Sequence, residues 1–223
     1  MSGSTGPGGP LVVLGSGSKT RLKVLRAAGI EPQVAIPGVD EGAIRDSSWA
    51  LPTPEVATLI AHAKAGAALA QLVPPFPGPV MVVSCDTIME IDGRRLEKAR
   101  TREQAFAHLR ELSGRTARVT TGQVTAVSPS GSLKDTVHVA ATAHCDLVLD
   151  EFSEREISSW AESGEPQRAA GCAIDALGGA FVLDVQGDPW AVSGVSLSLL
   201  RRAATQAGLS WPDFWNRGSW LVT

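Results

Sequence analysis

A short stretch in the middle of the chain combines an acid and a base after an apolar run. Residues 80–83 are apolar and lead through Ser84 and Cys85 to Asp86. A carboxylate at the end of a buried strand is costly to desolvate unless it is paired or binds a metal. Lys98 follows twelve positions later. An acid and a cation this near a predicted strand end indicate a site for a charged substrate, so an enzyme is the first hypothesis.

A Gly/Ser turn near the N-terminus offers a second candidate site. A buried strand is predicted over residues 11–14, the turn covers residues 15–18, and a helix is predicted over residues 20–28. A strand, a Gly/Ser turn and a helix in this order can aim backbone N–H groups at a phosphate. The turn matches neither the Walker A pattern nor the Gly-x-Gly-x-x-Gly pattern, which excludes a P-loop and a dinucleotide-binding loop.

The elements that must position these side chains follow from apolar periodicity and turn signals. Further strands are predicted over residues 33–39, 119–127, 137–149 and 180–185. Further helices are predicted over residues 54–72, 101–112, 153–162 and 196–207, and a looser stretch separates Glu41 from the first of them. Hairpin turns are predicted at Asp92-Gly93 and at residues 128–131. This interleaving predicts an α/β fold with a mixed, elongated central sheet flanked by helices.

Composition narrows the class of protein. The 223 residues are 43% hydrophobic and 19% charged, as in an ordinary soluble globular protein. The net charge of -3 argues against a binder of nucleic-acid polymers. Three widely spaced cysteines without a CxxC pair predict buried reduced thiols and a cytoplasmic protein. No run is apolar enough to span a membrane, and the first ten residues lack a signal-peptide core.

Five groups of short polar segments follow one another along residues 11–209. They are Ser16-Gly-Ser18-Lys-Thr20-Arg21; Val39-Asp40-Glu41; Ile60-Ala-His-Ala-Lys64-Ala65; Asp86-Thr87 with Asp92-Gly93, Lys98 and Leu112-Ser-Gly-Arg115; and Gly164-Glu-Pro166, Ala170-Gly171, Asp175-Ala-Leu-Gly178 and Gly187-Asp188. Together they resemble the Maf family of nucleoside triphosphate pyrophosphatases. In the same order, that family has a Ser-x-Ser-x-Arg-Arg turn, a Val-Asp-Glu segment, a Leu-Ala-x-x-Lys-Ala segment, an Asp-Thr block ending in Ser-Gly-Arg, and a last motif region.

The resemblance implies an active-site cleft between two lobes and cleavage of a nucleoside triphosphate to the monophosphate and pyrophosphate. It implies Mg²⁺ or Mn²⁺ held by Glu41 and Asp86, with Asp86 also accepting the proton of the attacking water. Lys64 and Lys98 would hold the phosphate chain. The residues implied to bind the rest of the substrate are Ser16, Ser18, Arg21, Thr87 and Asp175. A homodimer is implied as well.

Ordinary structural roles compete with these functional ones. Asp86 could cap a strand end, Lys64 could lie on a solvated helix face, and Arg21 could be a surface arginine in the first helical turn. Ser16 and Ser18 could simply cap that helix. A different class of function also stays open, a nucleotide-binding regulator of cell division or septum formation with weak or no catalysis.

Substrate preference and domain boundaries complete the expectations. In the family, Asp-Thr at Asp86-Thr87 goes with members that favour dTTP, UTP and modified pyrimidine nucleotides. The departures from the family pattern fall near the expected nucleotide pocket, at Thr20, Ala99, Ala117 and around Ala173. We predict a flexible tail over residues 1–10, one domain over residues 11–209, and a Trp-rich extension over residues 210–223 that packs on the domain.

Overall fold

The computed structural model describes residues 10–168 and 174–215. Residues 1–9 of the predicted tail lie outside this range, as do Ala170, Gly171, Cys172, Ala173 and Trp220. The described strands are β1 (Leu11–Leu14), β2 (Gln33–Val34), β3 (Val80–Ile91), β4 (Arg94–Leu96), β5 (Thr116–Ser128), β6 (Val137–Leu149) and β7 (Val182–Gly187). The α-helices are α1 (Lys19–Ala27), α2 (Glu41–Ser47), α3 (Thr53–Leu69), α4 (Arg102–Leu112), α5 (Glu154–Glu162), α6 (Glu165–Arg168), α7 (Trp190–Ser193) and α8 (Leu197–Gln206), and short 3₁₀ turns cover Leu177–Phe181 and Trp211–Phe214.

The seven described strands form one mixed sheet. Its order is β2-β1-β3-β5-β6-β7, with β4 paired to β3. Strand β1 runs parallel to both neighbours, so that Leu14 lies opposite Val34 and Val83. The β3–β4 and β6–β7 pairs are antiparallel. Parallel and antiparallel pairs in one sheet, with helices between the strands in sequence, confirm the predicted α/β fold.

The chain divides into two compact units, each made from separate stretches. The first unit takes the chain up to Asp86, then Gly122–Thr142, then the chain from Gly194 onward. The second takes Thr87–Thr121 and Ala143–Ser193. Within the described residues, no helix combines the length and the apolar character that crossing a membrane requires.

The core of the first unit joins residues that are far apart in sequence. Leu14 on β1, Val83 on β3 and Leu200 on α8 are each 0% exposed, and they belong to one apolar cluster. Phe214 is also fully buried in it, and Trp211 packs against it with partial exposure. Trp215, the next tryptophan of the predicted extension, is 46% exposed. Burial of this cluster stabilises the first unit.

Helix α3 lies unusually close to strand β5 because β5 has a glycine at the point of contact. A Cβ atom added at Gly122 would lie 2.4 Å from the carbonyl carbon of Ala57 and 2.5 Å from the backbone nitrogen of Thr58. Any side chain at Gly122 would therefore collide with the helix backbone. On the same helix, a Cβ atom at Gly66 would meet nothing within 4 Å.

Two predicted features of the second unit are confirmed, the turn at Asp92-Gly93 and a helix that begins near residue 153. Asp92 and Gly93 have φ angles of 49° and 77° between β3 and β4, as a two-residue hairpin turn requires. Ser153 and Glu156 form a reciprocal capping box at the start of α5. Helix α5 also contributes to an aromatic group in which the ring centroids of Trp160 and Phe181 are 5.1 Å apart.

The predictions for residues 33–72 are wrong in several places. The strand predicted over residues 33–39 contains only Gln33–Val34, because Pro37 has no N–H to donate to a strand pair and Gly38 turns the chain with a φ of 62°. The looser stretch after Glu41 contains helix α2, which begins because the Asp40 side chain accepts a hydrogen bond from Ala43 N at 3.0 Å. Helix α3 ends at Leu69 rather than at residue 72.

Candidate active site

The Gly/Ser turn after β1 is held by hydrogen bonds of its own serines. Ser18 is the N-cap of α1, and its side chain accepts from Arg21 N at 3.4 Å. Ser16 Oγ accepts from Ser18 N at 3.2 Å and from Arg21 Nη1 at 2.9 Å. The capping role is therefore confirmed for Ser18. Donation of either hydroxyl to a phosphate stays a prediction.

Arg21 is a buried residue and not the surface arginine of the competing interpretation. It is 8% exposed, and its Nε donates to the carbonyl oxygen of Gly194 at 2.7 Å. The guanidinium is therefore fixed from two sides, by Ser16 in the turn and by the backbone just before α8. An arginine held in one orientation is suited to grip a phosphate with little loss of side-chain freedom.

A buried lysine joins the two carboxylates that the resemblance assigns to metal. Lys64 Nζ lies 2.9 Å from Glu41 Oε1 and 3.1 Å from Asp86 Oδ1, and it also donates to the carbonyl oxygen of Cys85 at 3.4 Å. The side chains of Lys64 and Asp86 are each 5% exposed. The competing interpretation, in which Lys64 lies on a solvated helix face, is therefore wrong. Lys64 lies on the buried face of α3 with Ile60 and Ala68.

The predicted position of Asp86 at a strand end is also wrong. Strand β3 continues through Asp86 to Ile91, because its last residues pair with β4. The carboxylate therefore projects from inside a strand, and cationic side chains rather than a strand-end turn accompany it. Asp86 is nevertheless the last residue of the first unit's first stretch.

Arg45 is a member of the cluster that the sequence interpretation missed. Its Nη2 lies 3.2 Å from Asp86 Oδ2 and 3.4 Å from Glu41 Oε2, and its side chain is 37% exposed. The available signal was the spacing of four residues between Glu41 and Arg45, which becomes an i,i+4 ion pair once α2 is recognised. Two carboxylates and two cations thus balance one another in charge.

The thiol next to Asp86 is protonated and inert. Burial raises the pKa of Cys85 to about 11, although the nearby charges of Arg21 and Lys64 act in the opposite direction. Lys64 also contacts the backbone of Cys85, and the Arg21 turn and the Lys64 cluster both belong to the first unit. Cys85 and Cys145 are buried and free, as predicted for reduced thiols, whereas Cys172 lies outside the described residues.

The donor set at Glu41 and Asp86 suits a hard divalent cation. Lys64 and Arg45 each contact both carboxylates, so the two acids face the same pair of cationic side chains. Among residues 10–168 and 174–215, no group of three or more His, Cys, Asp or Glu side chains could hold a metal. Mg²⁺ is commonly held by one or two carboxylates, with water and substrate phosphates completing its coordination. The residues present therefore fit a cation that binds together with a polyphosphate.

The remaining predicted site residues belong to the second unit. Thr87 Oγ1 shares a hydrogen bond of 2.8 Å with Thr121 Oγ1. Lys98 is exposed in the segment after β4, and Asp175 is exposed just before the turn at Leu177–Phe181. Their roles toward a substrate stay predictions.

The fold and the cluster define an α/β protein with a charged site on a mixed sheet, suited to a metal-bound polyanion. Comparison with known proteins agrees with this class. A model of the Maf-like protein family matches residues 11–207. The nucleoside triphosphate pyrophosphatase of Cutibacterium acnes is 35% identical over 205 residues, which cover 92% of this chain and 94% of that protein. Proteins of the same name from Mycolicibacterium gilvum and Salinispora tropica are 37% and 35% identical, covering 92% and 98% of this chain and 98% and 92% of their own lengths. The chain belongs to the Maf-like protein family.

Proposed function

We propose that this chain is a nucleoside triphosphate pyrophosphatase that cleaves (d)NTPs to the monophosphate and pyrophosphate with a divalent cation. The observation that carries the proposal is the burial of Lys64 between Glu41 and Asp86. The buried charges of Lys64 and Asp86 are costly to desolvate. A site for a metal-bound triphosphate accounts for the retention of these charges. Curated relatives that align with nearly the full length of this chain are named nucleoside triphosphate pyrophosphatases.

The chemistry divides among the residues by charge and position. Asp86 accepts the proton of the attacking water, and Glu41 and Asp86 would hold Mg²⁺ or Mn²⁺. When bound, the cation would neutralise charge on the phosphate chain. Lys64 holds the two acids in position and offers its charge to the phosphates. Arg21 in its fixed orientation binds a phosphate.

Residues of the Gly/Ser turn and of the second unit complete the proposal. Ser16 and Ser18 line the turn in which the triphosphate binds. Lys98 contributes an exposed ammonium for the leaving pyrophosphate, and Thr87 and Asp175 contact the nucleoside. The Asp86-Thr87 pair favours dTTP, UTP or modified pyrimidine nucleotides as substrates.

A panel of nucleotides tests this function directly. The full chain is incubated with dTTP, UTP, dCTP, dATP, GTP and a 5-modified pyrimidine triphosphate, in Mg²⁺, in Mn²⁺ and in excess EDTA. Pyrophosphate and orthophosphate are measured separately. We expect pyrophosphate release that is fastest with a pyrimidine nucleotide and is abolished by EDTA. Orthophosphate release would indicate a plain phosphatase, and binding without turnover of any nucleotide would favour the regulator of cell division.

We further propose a homodimer in the cytoplasm. The location is supported by the two buried free thiols, which suit a reducing compartment. Light scattering of the purified chain is expected to give twice the mass of one chain. A mass equal to that of one chain across the micromolar range would contradict the dimer.

A further inference from the structure

A buried glutamine on β5 holds the backbone segment that orients Arg21. Gln123 is 1% exposed, and its Oε1 accepts from Ser196 N at 2.8 Å while its Nε2 donates to Ser196 O at 3.3 Å. One side-chain amide thus pairs with both backbone groups of one residue. Two positions before Ser196, the carbonyl oxygen of Gly194 accepts the bond from Arg21 Nε at 2.7 Å.

The same amide reaches toward the residue that precedes Asp86. Cys85 Sγ donates a weak hydrogen bond to Gln123 Oε1 over 3.7 Å. Gln123 therefore lies between the strand that carries Asp86 and the segment that fixes Arg21. All of these residues belong to the first unit.

We propose that Gln123 is a positioning residue for the triphosphate, acting through Gly194 on Arg21. Ser196 is the N-cap of α8, and Val195 between it and Gly194 is 0% exposed, so the segment is anchored on both sides. Without the amide, Ser196 would lose two backbone hydrogen bonds in an apolar surrounding, and the segment would relax to satisfy them. A relaxed Gly194 carbonyl no longer defines the direction of the Arg21 guanidinium. The inference rests on the proposed function, since a phosphate is what Arg21 binds.

A double-mutant cycle tests the path from Gln123 to Arg21. The variants are Q123M, which keeps the size of the side chain, R21M, and the double variant. Their readouts are KM and kcat for the nucleotide that the unmodified chain hydrolyses fastest, and Kd for a nonhydrolysable triphosphate analogue. We expect Q123M to raise KM and Kd about tenfold in the unmodified chain and less than about twofold in the R21M chain. We expect kcat to change much less than KM.

Ser128→Ala is the matched control. Ser128 is also buried on β5, but its Oγ binds Asp135 and the turn at Gly131. The Ser128→Ala variant should have a lower melting temperature than the unmodified chain and the same KM. If Q123M changes only the melting temperature, or raises KM equally in both backgrounds, the path through Arg21 is overturned. If R21M leaves the Kd of the triphosphate analogue unchanged, the phosphate-binding role of Arg21 is overturned as well. If R21M raises Kd but Q123M does not, Arg21 keeps its phosphate-binding role and only the positioning role of Gln123 is overturned.

Discussion

Asp86→Asn is expected to lower kcat for nucleotide cleavage by about 10³-fold, because the amide keeps the shape of the carboxylate but cannot accept a proton from water. The charged partners explain why the fold should survive. Lys64 keeps its contact with Glu41 at 2.9 Å, and Arg45 keeps its contact with Glu41 at 3.4 Å. The measurement is steady-state pyrophosphate release over a range of nucleotide concentrations, with circular dichroism as the check on folding.

Asp184→Asn is the control for a lost carboxylate. Asp184 is exposed on β7, and its oxygens bind only near neighbours, Val185 N and Gln186 Nε2, in the contacts described. It should leave kcat unchanged within a factor of about two, since surface substitutions away from a site have small effects. If Asp86→Asn retained more than a tenth of the kcat of the unmodified chain, Asp86 would not be the proton acceptor.

Gly122→Ala is expected to destabilise the chain by about 3 kcal/mol or more, because the new methyl group would overlap the backbone of α3. The clash distances of 2.4 and 2.5 Å involve Ala57 and Thr58 backbone atoms, which cannot rotate away. The helix must therefore move as a body. In a chain of this size the melting temperature should fall by roughly 6 to 12 °C, as measured by calorimetry.

Gly66→Ala isolates the effect of the clash from that of the glycine itself. Gly66 lies inside α3 with open space around its Cα, so alanine there should stabilise the helix by about 0.5–1 kcal/mol. Opposite signs at Gly122 and Gly66 are the expected result. A stabilising Gly122→Ala would mean that α3 does not pack against β5 as closely as described.

The sequence predicts the fold class because apolar periodicity and turn signals are local patterns. Glu41, Lys64 and Arg21 are proposed as site residues through the resemblance to the Maf family. Apolar periodicity located β1, β6 and α8 within a few residues. Side-chain contacts between distant segments do not follow from local patterns. The burial of Lys64 follows from packing of α3 on the sheet, and the periodicity of α3 alone is also compatible with an exposed lysine.

Arg45 and Gln123 show what local patterns cannot supply. Arg45 became a partner of Asp86 only through helix α2, whose single strong signal is the capping aspartate at position 40. Gln123 lies in a strand where polar residues would ordinarily face solvent, and its partner Ser196 is 73 positions away. Neither contact has a signature in spacing, since each depends on which strands and helices become neighbours.

Because the first unit is built from three separate stretches of the chain, it cannot complete its folding early in translation. Phe214 completes the apolar cluster that Leu14 begins, so the N-terminal strand cannot reach its final packing until the C-terminal segment has emerged. Residues 10–86 therefore stay incompletely packed until residue 214 has been synthesised. Native contacts between such distant segments slow folding and leave apolar surface open to chaperones in the meantime. Gly194, whose carbonyl oxygen accepts the hydrogen bond from Arg21 Nε, belongs to the third stretch, so this contact forms only after residue 194 has been synthesised.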